Sequence, residues 1–127
     1  MLKTILYIAI GGAIGSVLRY LTTVVVSKFC PETSGFNFPL ATFIANFVGC
    51  FLIGLFVGIL AKNNLTDSQL KWFLVTGFCG GYTTFSTFGM ENYNLFQSNN
   101  SLLAFGYMTL SILLGLFAVW FGLLLSK

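Results

Sequence analysis

Gly77-Phe78-Cys79-Gly80-Gly81-Tyr82-Thr83-Thr84-Phe85-Ser86-Thr87-Phe88 sits inside an otherwise apolar segment, and how it is read decides how the rest of the chain is placed. Each glycine of the Gly80-Gly81 pair is roughly 1 kcal/mol worse than alanine in a helix interior, and two β-branched threonines follow at once. The pattern predicts a helical interruption at the glycine pair. In hydrocarbon, an interrupted helix leaves backbone N–H and C=O groups unpaired, and such backbone persists only where protein buries it or where it lines a polar cavity. The stretch therefore marks a candidate site. Where the helix resumes, Phe85 and Phe88 fall on one face, and Thr84 and Thr87 form a second row that carries hydroxyls.

Working outward, 127 residues that are 57% hydrophobic and only 7% charged exclude an ordinary soluble domain and describe an integral membrane protein. Spanning a hydrocarbon core takes about 20 helical residues. Four apolar runs meet that length: Leu2–Val26, Pro39–Leu60, Leu70–Phe96 and Leu102–Leu125. The first is too long for a signal peptide, carries Arg19 and lacks a small-residue cleavage site, so it is expected to be retained. The fold class expected is all-α: a single bundle of four transmembrane helices over residues 1–127, the third broken near its middle. The six basic residues give a net charge of +3 but are scattered along the sequence without a run, which argues against a nucleic-acid or anionic-lipid partner. Cys30, Cys50 and Cys79 show neither metal-ligand spacing nor an even count, and read as small buried apolar residues.

Gly11, Gly12, Gly15 and Ser16 give the first helix a face that lets another membrane helix approach closely. Arg19, beside Tyr20, reads either as an interfacial anchor or as a cation that draws an anion toward a vestibule or meets a helix C-terminus. Ser27–Phe38, with Pro31, Ser34, Gly35 and Asn37, reads as a loop, after which Pro39 opens the second helix. Thr42, Asn46 and Gly49 share one face of that helix; Asn46 is either interhelical glue or pore lining, and its alignment with Thr42 favours the pore. Gly54 and Gly58 add a further close-approach face. Thr66 and Gln69 resemble a capping box at the start of the third helix. Glu91 is the single acid within a spanning segment, hydrogen-bonded or protonated if deep and solvated if near the interface. On the fourth helix Tyr107, Ser111 and Gly115 recur every four residues, either as packing or as a second wall for a pathway. Lys3, Lys62, Lys71 and Lys127 fall on the side of both termini, against Lys28 in the first loop, which favours cytoplasmic termini.

These residues carry a resemblance. The chain resembles the Fluc fluoride channels, also called CrcB proteins, over nearly its whole length. The Gly77–Phe88 stretch is similar to the family's G-x-x-G-G-x-T-T-F-S-T-F signature, with Glu91 following. Supporting matches are Gly11 to Arg19-Tyr20, Thr42 with Asn46 before Gly49, and Tyr107 with Ser111. The resemblance implies a homodimer of antiparallel, dual-topology subunits that passes fluoride out of the cytoplasm passively across the bacterial inner membrane. Two pathways would lie at the subunit interface. Phe85 and Phe88 would meet fluoride with their ring edges, and Asn46 and Tyr107 would add polar contacts. Thr42, Thr84, Thr87 and Ser111 would supply hydroxyls, and Arg19 would be a vestibule arginine. The main-chain carbonyls of Gly80 and Thr83 would hold a structural sodium ion at the dimer centre. Family members commonly show balanced charge, so the lysine bias here leaves open a second, oppositely oriented gene product as partner.

The main competing class is a small dimeric four-helix multidrug exporter, which needs a membrane-embedded carboxylate in its first helix. Here that helix has Arg19 and no acid. An enzyme is disfavoured: the chain has no histidine, and Glu91 has no nucleophile or second carboxylate within helical reach.

Overall fold

A computed structural model describes residues 1–30 and 38–127, and among these it is all helical. The elements are α1 (Leu2–Phe29), α2 (Leu40–Lys62), α3 (Gln69–Lys71), a π-helical segment (Trp72–Cys79), α4 (Gly80–Tyr82), α5 (Ser86–Gln97) and α6 (Ser101–Leu125). By length and composition α1, α2 and α6 can each cross a membrane. With 12 residues, α5 is about 18 Å long at 1.5 Å per residue and does not span hydrocarbon by itself.

Most of the expected boundaries shift by one to three residues, for local reasons. Helix α1 runs on through Ser27, Lys28 and Phe29, and leaves helical geometry at Cys30 (φ −130°, ψ 74°), the residue before Pro31. A residue preceding proline is pushed out of the α region, so the helix ends at Phe29, three residues beyond the expected Val26. The turn residues Pro31, Ser34, Gly35 and Asn37 lie outside the described residues. Pro39 caps α2 from outside rather than forming its first turn. The turns after α2 and α5 each place an asparagine in the left-handed region, Asn64 at φ 57° and Asn99 at φ 63°. Each turn is closed by an amide reaching back to the last helical turn, Leu65 to Leu60 and Asn100 to Leu95, both at 2.8 Å. The capping box expected from Thr66 and Gln69 does not form. The helix starts after Ser68 without a side-chain cap, and the Gln69 side chain instead accepts a hydrogen bond from Thr4 of α1 at 3.0 Å.

Two helix pairs make the scaffold. Helix α2 runs parallel to α6, and α1 lies along the π-helical segment and α4. Both pairs depend on glycine. A Cβ on Gly15 would strike the Phe78 carbonyl, and one on Gly81 would lie 2.6 Å from the carbonyl oxygen of Gly12; Gly54 and Gly122 are equally tight against Val119 and Phe51. The glycine pair at 80–81 is therefore helical, contrary to the expected interruption there. The backbone leaves helical geometry after it, where Thr83 is extended (φ −84°, ψ 161°), and resumes at Ser86. Among the cysteines, Cys79 is buried and Cys50 half-buried, but Cys30 is exposed at the end of α1.

Candidate functional site

The non-helical residues Thr83–Phe85 are held by side chains, not by helix bonds. Asn46 of α2 grips the backbone of Thr84 from both sides: its Oδ1 accepts the Thr84 N–H at 2.8 Å, and its Nδ2 donates to the Thr84 carbonyl at 3.2 Å. Thr84 in turn accepts the Thr87 N–H on its hydroxyl at 3.2 Å, filling one of the amide bonds that a helix start leaves open. Thr84 and Thr87 also join hydroxyl to hydroxyl at 3.1 Å. Thr83 turns its hydroxyl back to the Cys79 carbonyl at 2.8 Å.

These bonds divert two amides. In a continuous helix the N–H of Thr84 would go to the Gly80 carbonyl and that of Thr87 to the Thr83 carbonyl. Both now go to side chains, and among the described residues no other donor takes their place. Gly80 is exposed, and a Cβ there would meet nothing nearer than the Val75 oxygen at 3.9 Å. Two backbone oxygens are thus left free beside open space, a donor set of the kind that suits a hard cation.

A groove of about 360 Å³ opens at this point. Asn46, Thr84, Phe85, Phe88 and Ser111 line it, together with Gly80 and Thr83. The Phe85 ring is 83% exposed, and its centroid lies 5.9 Å from that of Phe88. The Ser111 hydroxyl is buried without a partner among the described residues. Asn46 Nδ2 has two N–H bonds and uses one on Thr84. The groove therefore combines aromatic rings with an uncommitted hydroxyl and an amide.

Thr42 and Tyr107 stand behind the groove rather than in it. Phe88 separates them from it, with its ring centroid 5.0 Å from that of Tyr107. Both give their hydroxyl hydrogens to Glu91, Thr42 to Oε2 at 2.8 Å and fully buried Tyr107 to Oε1 at 2.9 Å. Glu91 thus joins α2, α5 and α6. The sequence reading did not place Glu91 among the site residues, although a lone acid three positions after Phe88 in an apolar segment is a signal that such a partner exists. Asn92 is another: it donates to the Phe88 carbonyl at 2.9 Å while its own oxygen is buried and has no partner among the described residues. Thr87 is exposed on α5. Arg19, on α1, is half-buried with its guanidinium unpaired among the described residues, apart from the groove. Nearby Thr22 joins the hydroxyl of Tyr82 at 2.8 Å and so ties α1 to the end of α4.

The sequence model of the family described as CrcB-like protein, Camphor Resistance (CrcB), matches residues 6–123. The chain is 57% identical to the fluoride-specific ion channel FluC of Flavobacterium psychrophilum over 126 residues, covering 99% of this chain and 98% of the relative. It is 48% identical to the FluC of Campylobacter fetus, covering 98% and 94%, and 42% identical to that of Azobacteroides pseudotrichonymphae, covering 100% and 98%.

Proposed function

The chain belongs to the CrcB-like family, and from that membership and the groove's geometry we propose that it is a fluoride-specific ion channel, through which fluoride leaves the cytoplasm passively across the bacterial inner membrane. It is a channel and not an enzyme. The observation that carries the reading is the convergence of Asn46, Phe85, Phe88 and Ser111 on one groove beside a helix interruption. Fluoride is small and strongly hydrated, so a path for it must replace water with donors and with the electropositive edges of aromatic rings. The second Asn46 N–H and the Ser111 hydroxyl supply donors, and Thr87, whose hydroxyl accepts from that of Thr84, continues them onto α5. Thr42 and Tyr107 contribute through Glu91 behind Phe88. Arg19 raises the anion concentration at a vestibule.

The third crossing is made in two pieces on either side of Thr83–Phe85, and a second, antiparallel copy covers the groove. Support comes from Phe85, which with the polar backbone around it stands open on a single chain, an arrangement lipid does not tolerate. A sodium ion held by the Gly80 and Thr83 carbonyls of both copies closes the centre. The two diverted amides support this, since they leave those oxygens without protein donors.

The test is efflux from liposomes under a potassium gradient with valinomycin. Fluoride should leave down its gradient without nucleotide or co-ion. Chloride flux of equal size, or flux only against an opposing proton gradient, would overturn the assignment.

A further inference from the structure

A second groove lies well away from the helix interruption, between the C-terminal ends of α2 and α6. It holds about 610 Å³, with Ala61, Trp120 and Leu123 among its apolar walls and Lys62 and Lys127 beside them. The two lysines are far apart in sequence, which is why the basic residues look scattered there; the parallel packing of α2 and α6 brings them to one site. Both are exposed, and neither ammonium has an ion pair or hydrogen bond among the described residues. Among the described residues the helix-end carbonyls do not engage them; backbone amides reach Ile59, Ala61, Gly122 and Leu124. A lysine in a last helical turn is favoured by the helix dipole. That accounts for the lysines but not for a tryptophan-walled apolar groove between them, with Trp120 56% exposed.

Two free ammonium groups above an apolar groove fit an amphiphile with an anionic head. We propose that this groove binds an anionic phospholipid, its phosphate head between Lys62 and Lys127 and an acyl chain along Ala61, Trp120 and Leu123. Charge complementarity selects the head, and tryptophan suits the boundary between apolar chain and wet head group.

The chain has two tryptophans, so in the full-length Trp72→Phe protein Trp120 is the sole tryptophan, excited selectively over the tyrosines. It is reconstituted in phosphatidylcholine vesicles that contain brominated phosphatidylglycerol or, separately, brominated phosphatidylcholine. Quenching of Trp120 should report a preference of about thirtyfold for the phosphatidylglycerol at low salt, with two lysines contributing. The preference should fall toward onefold in about 1 M salt, where charges are screened within a few ångströms. It should also fall in Lys62→Gln/Lys127→Gln, whose fluoride efflux in the same vesicles should stay near that of the parent and so certify folding. If that variant does not fold, the salt titration of the parent carries the test. Equal quenching by the two lipids overturns the proposal, as does a preference that survives both lysine substitutions or high salt. Absence of quenching by either lipid would mean that a second copy covers the groove, and overturns it too.

Discussion

Asn46 commits both ends of its amide to Thr84, and that one residue explains why the backbone can leave helical geometry here. A buried N–H or C=O without a partner costs about 1–3 kcal/mol, and Asn46 relieves both at once. In the sequence Asn46 stood out by its alignment with Thr42, and Phe85 and Phe88 by sharing a face, but only the resemblance to the fluoride channels put the three on one pathway. The sequence could not show that Thr42 and Tyr107 point at Glu91, since that contact joins three helices. The phenylalanines differ in a way that can be tested. Phe85 is 83% exposed on a single chain, so Phe85→Leu should cost less thermal stability than Phe88→Leu. Phe88 packs on Tyr107 at 5.0 Å, and Phe88→Leu should cost stability of up to about 1.5 kcal/mol. Both should nonetheless cut fluoride flux by about tenfold or more, because each 1.36 kcal/mol of lost stabilisation along a narrow path is a factor of ten in rate. Phe117→Leu is the control: that ring stacks on Phe121 outside the groove, and its flux should stay within about twofold of wild type. Equal conduction by all three variants would place the pathway elsewhere.

At the scale of elements, the glycines of α1 were legible as a close-approach face, and those at 80–81 were misleading. Intrinsic propensity counts a glycine pair against a helix. Membrane helices associate through backbone contact, however, and Gly81 supplies that contact against Gly12. The interruption falls instead at Thr83, where side chains offer the backbone better partners than the helix does. Nothing in Trp72–Cys79 marks it as π-helical in sequence, for it contains no proline and its apolar run fits either helix. The packing reading predicts opposite outcomes for two alanines. Gly81→Ala places a Cβ 2.6 Å from a backbone oxygen that cannot move alone, whereas Gly106→Ala meets nothing within 4 Å. The first should lower the thermal midpoint in detergent, in line with an overpacking cost of about 1–3 kcal/mol. The second should hold or raise it, in line with a gain of up to about 1 kcal/mol as glycine leaves a helix interior. Equal midpoints would mean that α1 and α4 are not held by this contact.

On the scale of the whole molecule, every chemical feature of the groove lies on one open side of a chain whose other surfaces are largely leucine, isoleucine, valine and phenylalanine. A lone copy in lipid would leave the Gly80 and Thr83 oxygens without donors and its Phe85 ring without a neighbour across the groove. In the proposed dimer a second antiparallel copy would bring the same two oxygens to the centre from the other side, and four carbonyls around one cation would relieve what neither copy relieves alone. The ligands are then main chain, so side-chain identity at Thr83 matters little while its backbone matters a great deal. Thr83→Ser should conduct within a few-fold of wild type, since serine keeps the hydroxyl that reaches the Cys79 carbonyl. Thr83→Pro removes the N–H that bonds the same carbonyl at 3.0 Å and should lose flux and dimer together. Exchange of sodium for N-methylglucamine should weaken the wild-type dimer or its fluoride flux by several-fold, with recovery on return of sodium. A dimer and a flux that are both indifferent to the cation would leave the two diverted amides as a capping device alone, with no ion between the copies.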